Sequence, residues 1–70
     1  MKQANVNRLK KAAELLDKAV DLLDYVTERE ELQPKDTYFF TLCRREIISD
    51  LNGIKRIAKV AQEDLDLEHQ

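Results

Sequence analysis

The sequence is short of almost everything that builds loops, sheets and catalytic centres. In 70 residues it has one glycine, one proline, one cysteine, one histidine and no tryptophan. So little Gly and Pro leaves almost no turn vocabulary, which argues against a fold of many short strands. One cysteine excludes an internal disulfide, and a lone thiol suits a reducing, cytoplasmic setting. Cys43 and His69 fall short of the ligand set of a structural zinc site. Gly53 alone cannot form a phosphate-cradling loop. No apolar run approaches the ~20 residues of a membrane helix. The opening Met1-Lys2-Gln3-Ala4-Asn5-Val6-Asn7 has no apolar signal segment. Neither a membrane nor a cofactor or metal is therefore expected as a partner.

What remains is 43% apolar and 37% charged, with 12 positive and 14 acidic side chains and a net charge of −2. That mix is too apolar for a disordered tail and too charged for a membrane span. The length suits one small domain, residues 1–70.

Periodicity predicts an all-α antiparallel hairpin of two helices, with helix 1 at about 4–32, a turn at about 33–36 and helix 2 at about 37–66. In the first helix Leu9, Ala12, Leu16, Ala19, Leu23 and Val26 are spaced alternately by three and four residues, the seam of a heptad. Ala13, Leu15, Val20 and Leu22 widen that stripe. Lys10, Glu14, Asp17, Asp21, Asp24 and Glu28 occupy the other face. Pro34 breaks the pattern. Asp36 or Thr37 is expected to cap the second helix, or else Pro34 sits in its first turn. The second seam reads Phe40, Cys43 or Arg44, Ile47, Leu51, Ile54, Ala58, Ala61 and Leu65. It stays in phase across Asn52-Gly53, so one continuous helix is expected, the alternative being a break at Gly53 and a third helix. Two helices of matched length, roughly 40–45 Å, would leave wide apolar stripes wet. Dimerisation into a four-helix bundle is the simplest remedy.

Charge comes in blocks. Residues 1–16 carry net +3, 17–36 net −4, 37–60 net +3 and 61–70 net −4. The signs oppose each helix's own macrodipole. The blocks therefore favour antiparallel pairing of helices, and of hairpins in a homodimer, over stability within a helix.

Functional candidates lie on two surfaces. The outer ridge of helix 2, Tyr38, Leu42, Arg45, Ser49, Asn52, Arg56 and Lys59, contains no acid. It could meet an acidic protein surface or nucleic-acid phosphates, although the acidic face of helix 1 disfavours nucleic acid. The aromatic run Tyr38-Phe39-Phe40, with Tyr25 arriving at the same end, has the composition of an interface hot spot beside Arg44 and Arg45. Cys43 lacks a neighbouring base, so no catalytic role is expected. Glu63, Asp64, Asp66, Glu68 and His69 lack the glycine and terminal glutamate of a calcium loop and are expected to be a solvated end.

The hairpin outline, with an aromatic opening its second helix, resembles two kinds of small helical protein. One is the plasmid RNA-modulating Rop hairpin, which dimerises into a four-helix bundle. The other is the hairpin co-chaperone of type III secretion needle subunits, which pairs with a larger chaperone. The likeness is architectural and carries over no site residue. The expectation is a non-enzymatic protein-binding regulator or adaptor acting as a homodimer through Tyr38, Phe39, Leu42, Arg45, Asn52, Arg56 and Lys59. The chain's size suits an inhibitor of a host factor carried by a mobile element. The alternatives are an RNA- or DNA-binding hairpin dimer, and an obligate co-chaperone or subunit.

Overall fold

The computed structural model describes residues 1–69, which form an all-helical hairpin of α1 (Gln3–Arg29) and α2 (Pro34–Glu68). The turn, residues 30–33, comes earlier than the periodicity suggests. Glu30, Glu31 and the neighbouring Glu28 place negative charge at the negative end of the α1 dipole, which disfavours another turn of helix. Glu30 is extended at φ −102°, ψ 144°, and its N–H still donates to the Val26 carbonyl at 2.9 Å.

Pro34 opens α2, the alternative start, and the cap expected at Asp36 or Thr37 does not form. Proline forces Gln33 into the extended region (φ −63°, ψ 147°), and its own missing N–H is one that a first turn leaves unpaired anyway. The Gln33 carbonyl accepts the N–H groups of Asp36 and Thr37, each at 3.0 Å, and the Thr37 hydroxyl at 3.3 Å. Asp36 instead contributes charge in the first turn.

The helices do not match in length. At 1.5 Å per residue, 27 residues make about 40 Å and 35 residues about 52 Å. The Cα atoms span 55 × 15 × 13 Å, a slender rod. α2 runs unbroken through Gly53, so no third helix forms. A Cβ built on Gly53 meets nothing within 4 Å, and its φ is not positive. Nothing here requires glycine. Gly53→Ala is therefore expected to stabilise the helix by up to about 1 kcal/mol, and one such unit raises the melting temperature by roughly 4–8 °C in a domain this size. A melting curve of the variant checks this.

The core is thin. Among the described residues only Val6, Ala13, Val20, Leu51 and Ala58 are buried. On α1 the line facing α2 is thus Val6, Ala13, Val20, flanked by the half-buried Leu9, Leu16 and Leu23. Val6 was not expected on that line and Ala13 only at its margin, and Ala12 and Ala19 are only half-buried beside it. Val26, expected in the seam, is 42% exposed. On α2, Leu51 and Ala58 lie at the contact. Phe40, Cys43, Ile47, Ile54, Ala61 and Leu65 are half-buried beside them. The expected seam is therefore rotated partly out of the helix–helix contact. Ala13 and Ala58 allow close approach there.

Candidate functional site

Successive residues turn by about 100° around a helix, so the hairpin has two broad sides and two outer edges. Polar cross-links mark one side. Arg44 donates through Nε to Asp24 Oδ1 at 2.8 Å, the one ion pair between the helices among the described residues. That hydrogen bond, with the added carboxylate charge, raises the Arg44 pKa above its ordinary value. Nearer the open end, Gln3 and Gln62 exchange amide hydrogen bonds at 2.8 and 2.9 Å. Lys10 Nζ also donates to Gln62 Oε1 at 2.9 Å, and Gln62 Nε2 to Asp66 Oδ1 at 3.1 Å. Sequence reasoning did not single out Gln62. Its position four residues after Ala58, on the same helical line, was the available signal.

The same side holds a shallow groove of about 530 Å³, floored by Ala13 and Ala58 and rimmed by Lys10, Glu14, Asp17, Lys55, Lys59 and Glu63. Its rim mixes both signs of charge. The acidic stripe of α1 faces this side, while the expected block-against-block charge pairing is realised between helices only at Asp24–Arg44. The other close ion pairs among the described residues are local, such as Lys11–Glu14 at 3.6 Å.

The opposite side is apolar. Residues on the far flank of the contact line are Leu9, Ala12, Leu16, Ala19, Leu23 and Val26 on α1. On α2 they are Phe39, Cys43, Ile47, Ile54, Ile57, Ala61 and Leu65. Most are half-buried along the valley between the helices, while Ile57 at 52% and Phe39 at 62% are open to solvent. Asp50 intrudes on the α2 flank, and Asp36 and Asp64 fall on the same helical line as Cys43 and Ile57. An apolar surface of this length, with its acids confined to the α2 edge, is characteristic of an interaction site. The residues first assigned to the seam largely make up this side.

The outer ridge of α2 points away from it. Tyr38, Leu42, Arg45, Asn52, Arg56 and Lys59 are all exposed, with Tyr38 at 67%. Among the described residues Arg45, Arg56 and Lys59 make no ion pair. Phe39 separates from this ridge and lies edge-on to Phe40, with ring centroids 5.8 Å apart and planes at 68°. The aromatic run is thus divided: Tyr38 sits on the ridge and Phe39 on the apolar side. Arg29 stacks on one face of Tyr25, its guanidinium carbon 3.6 Å from the ring centroid, and the ring stays 58% exposed.

Among the described residues no three His, Cys, Asp or Glu side chains converge as metal ligands, and no helix is long and apolar enough to cross a membrane. Comparison of the chain with protein-family models, curated proteins and solved structures finds no match.

Proposed function

We propose that this hairpin is a non-catalytic, cytoplasmic regulator or adaptor that binds another protein through the outer ridge of α2. In this reading it works as a homodimer, and inhibition of a host factor on behalf of a mobile element is the kind of task its size suits. The observation that supports the ridge is its unspent charge. Arg45, Arg56 and Lys59 stand exposed on one line with no acid paired to them among the described residues, next to an exposed tyrosine. Exposed cations with an aromatic anchor suit an acidic protein surface, where steering speeds encounter and the tyrosine contributes buried area.

The test is capture of the binding partner by tagged wild-type protein, compared with Tyr38→Ala and Arg45→Glu. Both positions are exposed and outside the core, so both variants should keep the helical circular-dichroism spectrum and melt within about 0.5 kcal/mol of wild type. Capture should drop at least about tenfold, the scale of an interface side chain worth more than 1 kcal/mol. A folded Arg45→Glu variant that captures its partner undiminished would refute the ridge assignment. The same cations also favour a second reading, nucleic-acid binding. That reading requires a gel shift at low salt whose affinity falls steeply as salt rises.

A further inference from the structure

The apolar side of the hairpin has no cover. We infer that its occupant is a second copy of this chain, stacked face to face with its turn at the opposite end. This rests on the dimeric part of the reading above, adds the face, and gives the expected antiparallel orientation a structural basis.

The first argument is area. A compact protein of 8.2 kDa exposes about 4,500 Å². The hairpin exposes 5686 Å². The excess, about 1,200 Å², is larger than the ~800 Å² per partner of a standard stable interface. The radius of gyration agrees, at 16.1 Å against about 11 Å for a compact chain of this length. A second layer on one side removes this excess, and packed helical domains are built from at least two layers. The side that qualifies is the one carrying Leu9, Leu16, Leu23, Ile47, Ile54 and Ile57, because the other has a charged rim.

The second argument is charge along the rod. The open half, residues 1–16 with 51–70, carries seven positive and five acidic side chains, net +2. The turn half, residues 17–50, carries five positive and nine acidic ones, net −4. The hairpin is thus a dipole along its long axis. Stacking with turns at opposite ends lays each positive half on a negative one, whereas turns together would oppose the two acidic halves.

In the opposed arrangement the Tyr38–Lys59 ridge of each copy stays outside.

Two measurements test this on the whole chain. In a Cys43→Ala background, a spin label at Lys35→Cys marks an exposed position near the turn. Lys35 is 16 residues from Leu51, the midpoint of α2, or about 24 Å along the axis. Opposed turns predict a label separation of about 48 Å by doubling that rise, and turns together less than about 25 Å. Light scattering gives the mass of the same sample. A dimer with the long distance supports the inference, and a dimer with the short one overturns the orientation. A monomer without dipolar coupling overturns the second copy and leaves the face to a different helical protein. Separately, Leu16→Glu on the apolar side should weaken the dimer about thirtyfold or more, while Leu22→Glu on the outer edge of α1 should leave it intact. The reverse result would assign the interface to the wrong side. If Leu16→Glu fails to fold, the label distance still decides. Loss of the dimer leaves the Tyr38 and Arg45 capture experiment free to succeed, so the two readings fail independently.

Discussion

Leu51→Ala is expected to cost about 2–5 kcal/mol per chain and to abolish the cooperative melting transition, while Leu22→Ala leaves it within about 0.5 kcal/mol of wild type. Both remove the same atoms from a leucine. The difference lies in what surrounds them. Leu51 is 4% exposed and is the one large side chain among the five buried residues, the others being valine or alanine. Truncation there leaves a space in the helix–helix contact, whose cost adds to the lost transfer free energy. Leu22 is 68% exposed on the outer edge of α1 and has almost no burial to lose. A domain this small draws only about 3–5 kcal/mol from its own core, so a loss of 2–5 consumes most or all of it. Circular dichroism against temperature separates the two variants. A Leu51→Ala protein that melts like wild type would mean that the α1–α2 contact is not what holds the fold.

The outline of this fold was legible because the chain has so few ways to be anything else. With one glycine and one proline, twenty-odd residues of three-and-four spacing on either side of Pro34 leave only a hairpin. Continuity through Gly53 was legible too, since Leu51, Ile54 and Ala58 keep phase across it. The ends were less so. Whether Pro34 precedes a helix or opens one depends on which carbonyl satisfies the first turn, and here Gln33 supplies it. The matched lengths failed for the same reason: an earlier turn shortens α1 and lengthens α2.

The rotated seam has a different cause. On α1 two stripes obey the same spacing, Val6-Leu9-Ala13-Leu16-Val20-Leu23 and Leu9-Ala12-Leu16-Ala19-Leu23-Val26. Periodicity alone cannot say which one faces α2. Small residues at Ala13 and Ala58 and the polar clasps Asp24–Arg44 and Gln3–Gln62 select the first stripe. The second is left facing outward. Of the candidate site, the α2 ridge was legible as a helical line of exposed positions. The parting of Phe39 from Tyr38 follows from the 100° step between neighbours once the contact line is known. The groove over Ala13 and Ala58 is a product of two chain segments and had no signature in either alone.

A duplicated stripe is also why stability should depend on protein concentration. If the second stripe is covered by another copy, unfolding releases two chains, and each tenfold dilution removes about 1.4 kcal/mol from the dimer. Two chains of 70 residues carry an unfolding entropy of about 0.3 kcal/mol per kelvin at about 2.1 cal/mol/K per residue. The melting temperature should therefore rise by about 4–5 °C for each tenfold increase in concentration, or roughly 9 °C between 1 and 100 μM. Leu22→Ala should show the same slope as wild type, because it touches neither the contact line nor the apolar side. A melting temperature that does not move over that range would mean the five buried side chains hold the hairpin unaided. The apolar side would then be a docking face for a helix of different sequence, and the chain should gain stability when that partner, rather than more of itself, is added.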